Sequence, residues 1–168
     1  MSRVARYHAD RTNQKLYFAR LSTLQAVKAE NPQIAQASRE AAVFHLHGAV
    51  LAFLQELVRY YKLTDRHPTF ASVKEKMAQR GQVSPEIAIM EGLAKSGFIA
   101  ELNRAFASCT YAPEPPEPVF DDEQSSSNLI IKVTHSPLAW LPDIQILREW
   151  HHELVSLIDG FRNEMVEF

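Results

Sequence analysis

Two histidines stand one residue apart in the most apolar stretch of the chain, AAVFHLHGAVLAFLQELVRYYKL (residues 41–63). On a helix, residues i and i+2 are about 200° apart, so His45 and His47 point to opposite sides and cannot chelate one metal. His47 falls with Val43, Leu54 and Val58 on the flank of the apolar face. It reads as a half-buried structural histidine with a hydrogen-bond partner. His45 falls on a stripe of small and polar residues, Ala41, Gly48, Ala49, Ala52, Gln55, Glu56 and Arg59. Such a stripe lets another helix approach closely, and sites in bundles form between helices. A ligand or interface site around His45, Glu56 and Arg59 is therefore the functional reading of this stretch.

Two other constellations have a chemical precedent in their spacing. Arg39 lies upstream of His45, and some helical RNA-cleaving domains use an arginine and a histidine near a helix end. Arg39 and His45 are the weak catalytic candidates, since they stand about 120° apart on one helix. Glu149 and His152 have the Glu-x-x-His spacing that puts both on one helix face, as in di-iron bundles. Such centres need two of these pairs and further glutamates, and only one is present, so Glu149 and His152 read as a solvated face with His151 at the core edge. The nucleophile elbow, P-loop, dinucleotide fingerprint and CxxC motifs are missing, and no cofactor is expected. The single cysteine, Cys109, has no basic activator nearby in sequence and reads as an ordinary thiol.

The elements that would position these residues are helical. Tyr17, Leu21, Leu24 and Val27 recur at helical spacing and predict the buried side of a first helix, capped by Thr12 or Asn13 and stopped at Asn31-Pro32. Asn31 and Pro32 open a second helix reaching about Lys62. Phe70, Val73 and Met77 mark a third, with Ser72 and Glu75 as a capping pair and Gly81 at its end. Ser84-Pro85 opens a fourth, with Ile87, Met90, Leu93 and Ala94 inward and a break at Ser96-Gly97. The last helix starts at Pro142-Asp143 and carries Leu147, Leu154, Ile158 and Phe161 inward. Before it, residues 110–128 form an acidic Pro/Ser-rich loop, and the β-branched run at 129–133 predicts one short strand. The fold class is mainly all-α: one domain, 1–168, built as a bundle of four to five helices, up and down.

The chain has 168 residues, a net charge of −2 and nearly half apolar residues, which suits one globular core. That balance gives no global case for a nucleic-acid or membrane partner. The N-terminus lacks the apolar core of a secretory signal, and one cysteine fits a reducing compartment, so a cytoplasmic protein is expected. Two stretches, RTNQKLYFARL (11–21) and REAAVFHLHGAVLAFLQELVRYYKL (39–63), with a later segment holding tryptophan and Phe161-Arg162, resemble a family of small helical proteins from Pseudomonas and related gammaproteobacteria. That family has no assigned activity, so the resemblance implies a bacterial intracellular protein and no site. The leading functional expectation is a non-enzymatic protein acting through protein–protein interaction, with a protein partner or with itself as a homodimer. The alternatives are a ribonuclease-like or metal-dependent bundle centred on His45, and a nucleic-acid-associated regulator using the basic first helix.

Overall fold

The computed structural model describes residues 3–111 and 140–166, with side chains from Ala9 to Tyr111 and from Trp140 to Met165. Six helices are present among them: α1 (Arg3–Lys28), α2 (Pro32–Tyr60), α3 (Phe70–Gln79), α4 (Pro85–Ser96), α5 (Phe98–Thr110) and α6 (Ile144–Val166). Among the described residues the fold is all-helical. The count exceeds the expected four or five because the break at Gly97 is complete. Gly97 is extended (φ −121°, ψ −164°), and it donates its N–H to the Leu93 carbonyl while its own carbonyl receives Ala100 and Glu101. The acidic segment beyond Tyr111 and the strand expected at 129–133 lie outside the described residues.

α2 is the axis of the molecule, packed by α1, α5 and α6, while α3 and α4 pack on each other. Asn31 caps it, its side-chain oxygen accepting from Gln33 N at 2.8 Å, and Pro32 occupies the first turn, where no N–H is needed. It ends at Tyr60, two residues before the expected end. There Lys62 turns left-handed (φ 55°) and Leu63 N returns to the Val58 carbonyl. Because three helices touch α2, its buried face is broad, about 200° of the helix from Ser38 round to Val58, and Leu46, Phe53, Leu54, Leu57 and Val58 are all at most 1% exposed. Phe53 stacks on Phe161 of α6, ring centroids 5.9 Å apart. α2 is long and apolar enough, by length and composition, to cross a bilayer. Half of that window is buried inside the fold, as in any core helix that passes this test.

The first helix departs from the sequence expectation. Its buried face is Thr12, Leu16, Ala19, Thr23 and Ala26, and the expected core stripe is exposed: Tyr17 49%, Leu21 42%, Leu24 41%, Val27 51%. The reason lies in what α2 presents. Its buried Ser38, Ala42 and Ala49 and the neighbouring Gly48 are small, so small residues of α1 meet small residues of α2 and the two helices approach closely. Large side chains at that seam would hold them apart. Thr12 and Asn13 do not cap α1, which already runs from Arg3.

At the other joints, Thr69 and Ser72, not Ser72 and Glu75, form the capping box of α3. Gly81 (φ 64°) ends it. Asp143 caps α6, accepting from Ile146 N at 2.8 Å.

Candidate functional site

His45 and His47 separate as helical geometry requires. His45 turns toward α1, its ring 5.3 Å from Phe18 in an edge-on arrangement. Burial, then the nearby Lys15 ammonium and Arg11 guanidinium, hold its pKa below the ordinary 6.5. His47 turns toward α5 and stacks on Phe106, centroids 3.9 Å apart and planes 7° off parallel. Burial alone pushes its pKa down.

His45, Glu56 and Arg59 do not meet. Eleven residues along α2 put Glu56 about 16 Å from His45 at 1.5 Å per residue. Glu56 is instead the centre of a junction between three helices. Arg162 of α6 binds it with two nitrogens, Nε to Oε1 and Nη2 to Oε2, both at 2.9 Å. Thr12 of α1 donates to its Oε2 at 3.0 Å, and Arg162 Nη1 also reaches the Asn13 side chain at 2.8 Å. Side-chain exposures of 22% for Arg162 and 12% for Glu56 make this a largely desolvated pair. Three donors from two other helices thus commit Glu56 to this junction. Arg59 is exposed on the next turn.

Arg39 is also committed to structure. Its guanidinium donates to the Leu141 carbonyl at 2.6 Å and to the Pro142 carbonyl at 2.7 and 2.9 Å, fastening the entry of α6 to α2. It points away from His45 and forms no catalytic pair with it. Glu149 accepts from Gln145 one turn earlier on the exposed face of α6, and His152 is exposed there too. His151 sits at the core edge with Nε2 3.1 Å from the Leu16 carbonyl, and burial lowers its pKa. Among the described residues no group of three His, Cys, Asp or Glu side chains is gathered to hold a metal. The half-buried Cys109 thiol is pushed up to about 11, first by burial and then by Glu40, so it stays protonated.

Three features escaped the sequence reading. Thr12 and Arg162 as partners of Glu56 were hidden because they lie 44 and 106 residues from it. A second polar cluster joins the end of α2 to α4: buried Glu86 accepts from Tyr61 at 2.6 Å and from Ser84 at 2.5 Å, and burial followed by that bond raises Tyr61 to about 12. The third is the exposed apolar stripe of α1. Its periodicity was plain, but periodicity alone does not say which of two helical stripes faces inward. Ile34, at the start of α2 where the hairpin closes, is also 49% exposed. So are Phe44 (41%) and Leu51 (48%) farther along α2, the former edge-on to Phe106.

A family model described as a family of unknown function (DUF6586) matches residues 7–168. The chain belongs to that family. No curated protein matches the chain, and no solved structure does. Family membership thus carries no chemistry to these residues.

Proposed function

We propose that this protein acts by protein–protein interaction, and that the docking surface is the outer face of α1: Tyr17, Leu21, Leu24 and Val27, continued by Ile34. The observation that supports it is their exposure of 41–51% in a helix-spaced row. Scattered exposed apolar residues need no explanation, but a contiguous apolar row marks an interaction site on a soluble domain. A row at i, i+4 and i+7 is also the spacing by which one helix receives another. The polar groups gathered by the fold, around Glu56, Glu86 and Arg39, hold helices to one another, which supports a scaffold over an enzyme.

Affinity capture from the native cell tests this reading, with the full chain and with a Leu21→Asp/Leu24→Asp variant whose unfolding is first shown to match wild type. The wild-type chain retains a partner that the variant loses. Identical captured sets from both would contradict it.

A further inference from the structure

The charges around the stripe narrow the chemistry of what covers it. This step rests on the docking reading above. Across residues 9–28, α1 carries Arg11, Lys15, Arg20 and Lys28 against one acid, Asp10. At 3.6 residues per turn, Tyr17, Leu21 and Leu24 lie about 120–180° from the buried direction through Thr12. On the same wheel Arg20 lies about 40° beyond Leu24 at one edge of the stripe and Arg11 about 80° beyond Leu21 at the other, while Lys15 lies about 60° from the buried direction, beside the seam with α2.

The Arg20 guanidinium stands over the Tyr17 ring, 5.5 Å from its centroid. The Lys15 stem lies along Gly48 of α2, Cδ 3.4 Å from where a Cβ would be, which brings its ammonium to the α1–α2 seam where His45 sits. The ion pairs among the described residues are Lys74–Glu91, Lys95–Glu91, Lys76–Asp65 and Arg162–Glu56, and none of them uses these four cations.

We propose that the occupant of this face is an acidic amphipathic helix of a partner protein, its apolar side chains on Tyr17, Leu21 and Leu24 and its carboxylates on Arg11 and Arg20. A second copy of this chain would set these cations against themselves across the interface, which costs affinity. A nucleic acid would use the cations and leave the leucines idle. Carboxylates arriving beside Arg11 also offset one of the two charges that lower the His45 pKa. Its imidazole then gains a proton more readily in the complex than in the free protein.

The test uses the full chain and two fluorescent synthetic helices of about three heptads. Both carry the same leucine seam, with glutamate at the flanking positions of one and lysine at those of the other. The glutamate peptide binds at least about tenfold more tightly than the lysine peptide, and more weakly as salt rises from about 0.05 to 0.3 M. Its binding falls severalfold in Arg11→Glu and separately in Arg20→Glu, and is lost in Leu21→Asp. The His45 imidazole, followed by NMR, titrates at higher pH once the glutamate peptide is bound. Equal binding of both peptides, lost for both in Leu21→Asp, overturns the charge assignment and leaves the docking face standing. Failure of the glutamate peptide to bind overturns the inference, while the cell capture decides the docking reading separately. An oligouridine that binds more tightly than the glutamate peptide, or a concentration-dependent dimer abolished by Leu21→Asp, overturns it in favour of nucleic acid or of a second copy.

Discussion

Single side chains in this protein report how strongly each is tied. Glu56 is held by Arg162 and Thr12 from two other helices in a largely desolvated setting. Removing one partner of such a group leaves the other without compensation, so Arg162→Ala lowers the unfolding free energy by about 2–3 kcal/mol. Urea titration checks this, and a change under about 0.5 kcal/mol would remove the junction as a stabilising element. His47 gives a pH signature. Burial lowers its folded-state pKa below the ordinary 6.5, so the unfolded chain binds the proton more readily. Its contribution is therefore complete above about pH 6.5 and is lost as pH falls toward the folded value. His45 and His151 are lowered too and act in the same direction. Unfolding measured from pH 7.5 downward shows stability falling through that window, more shallowly in His47→Phe, which keeps an aromatic ring against Phe106. An unchanged pH slope in that variant would show that His47 does not contribute.

Helices were legible where local chemistry sets them. Asn31-Pro32, Ser84-Pro85 and Pro142-Asp143 each mark a start that the structure keeps, because a cap and a missing N–H are properties of adjacent residues. The break at Ser96-Gly97 was legible for the same reason. What stayed hidden was orientation. Two stripes run along α1, one of large side chains through Tyr17, Leu21 and Leu24 and one of small ones through Thr12, Ala19, Thr23 and Ala26. Hydrophobicity favours the first, but the seam is decided by the small residues that α2 offers, which is a property of a second helix. For the same reason the sequence placed His45 with Glu56 on one stripe but could not show Arg162 claiming Glu56 from α6. The glycines make the element-level account testable. A Cβ at Gly97 would stand 2.7 Å from Leu93 Cδ2 and 3.1 Å from Leu93 Cα, so Gly97→Ala forces the α4–α5 joint apart and costs about 1–3 kcal/mol. At Gly92, inside α4, a Cβ meets nothing within 4 Å, and Gly92→Ala stabilises by about 0.5–1 kcal/mol. Thermal unfolding of both variants separates them, and shifts of the same sign would contradict the joint described.

At the scale of the whole molecule, a well-filled core centred on α2 coexists with an apolar row on the outside of α1. That division predicts that Leu21→Asp and Leu24→Asp each change stability by no more than about 1 kcal/mol, since neither side chain is enclosed. A loss of several kcal/mol would return the row to the core and remove the docking surface. The most direct test of the central claim compares hydroxyl-radical footprints of the native chain, purified and inside the cell that makes it. Tyr17, Leu21 and Leu24 are predicted to be modified readily in the purified protein and protected in the cell, while the core residues Leu46 and Leu57 stay protected in both. Equal modification of the α1 row in the two settings would contradict the account.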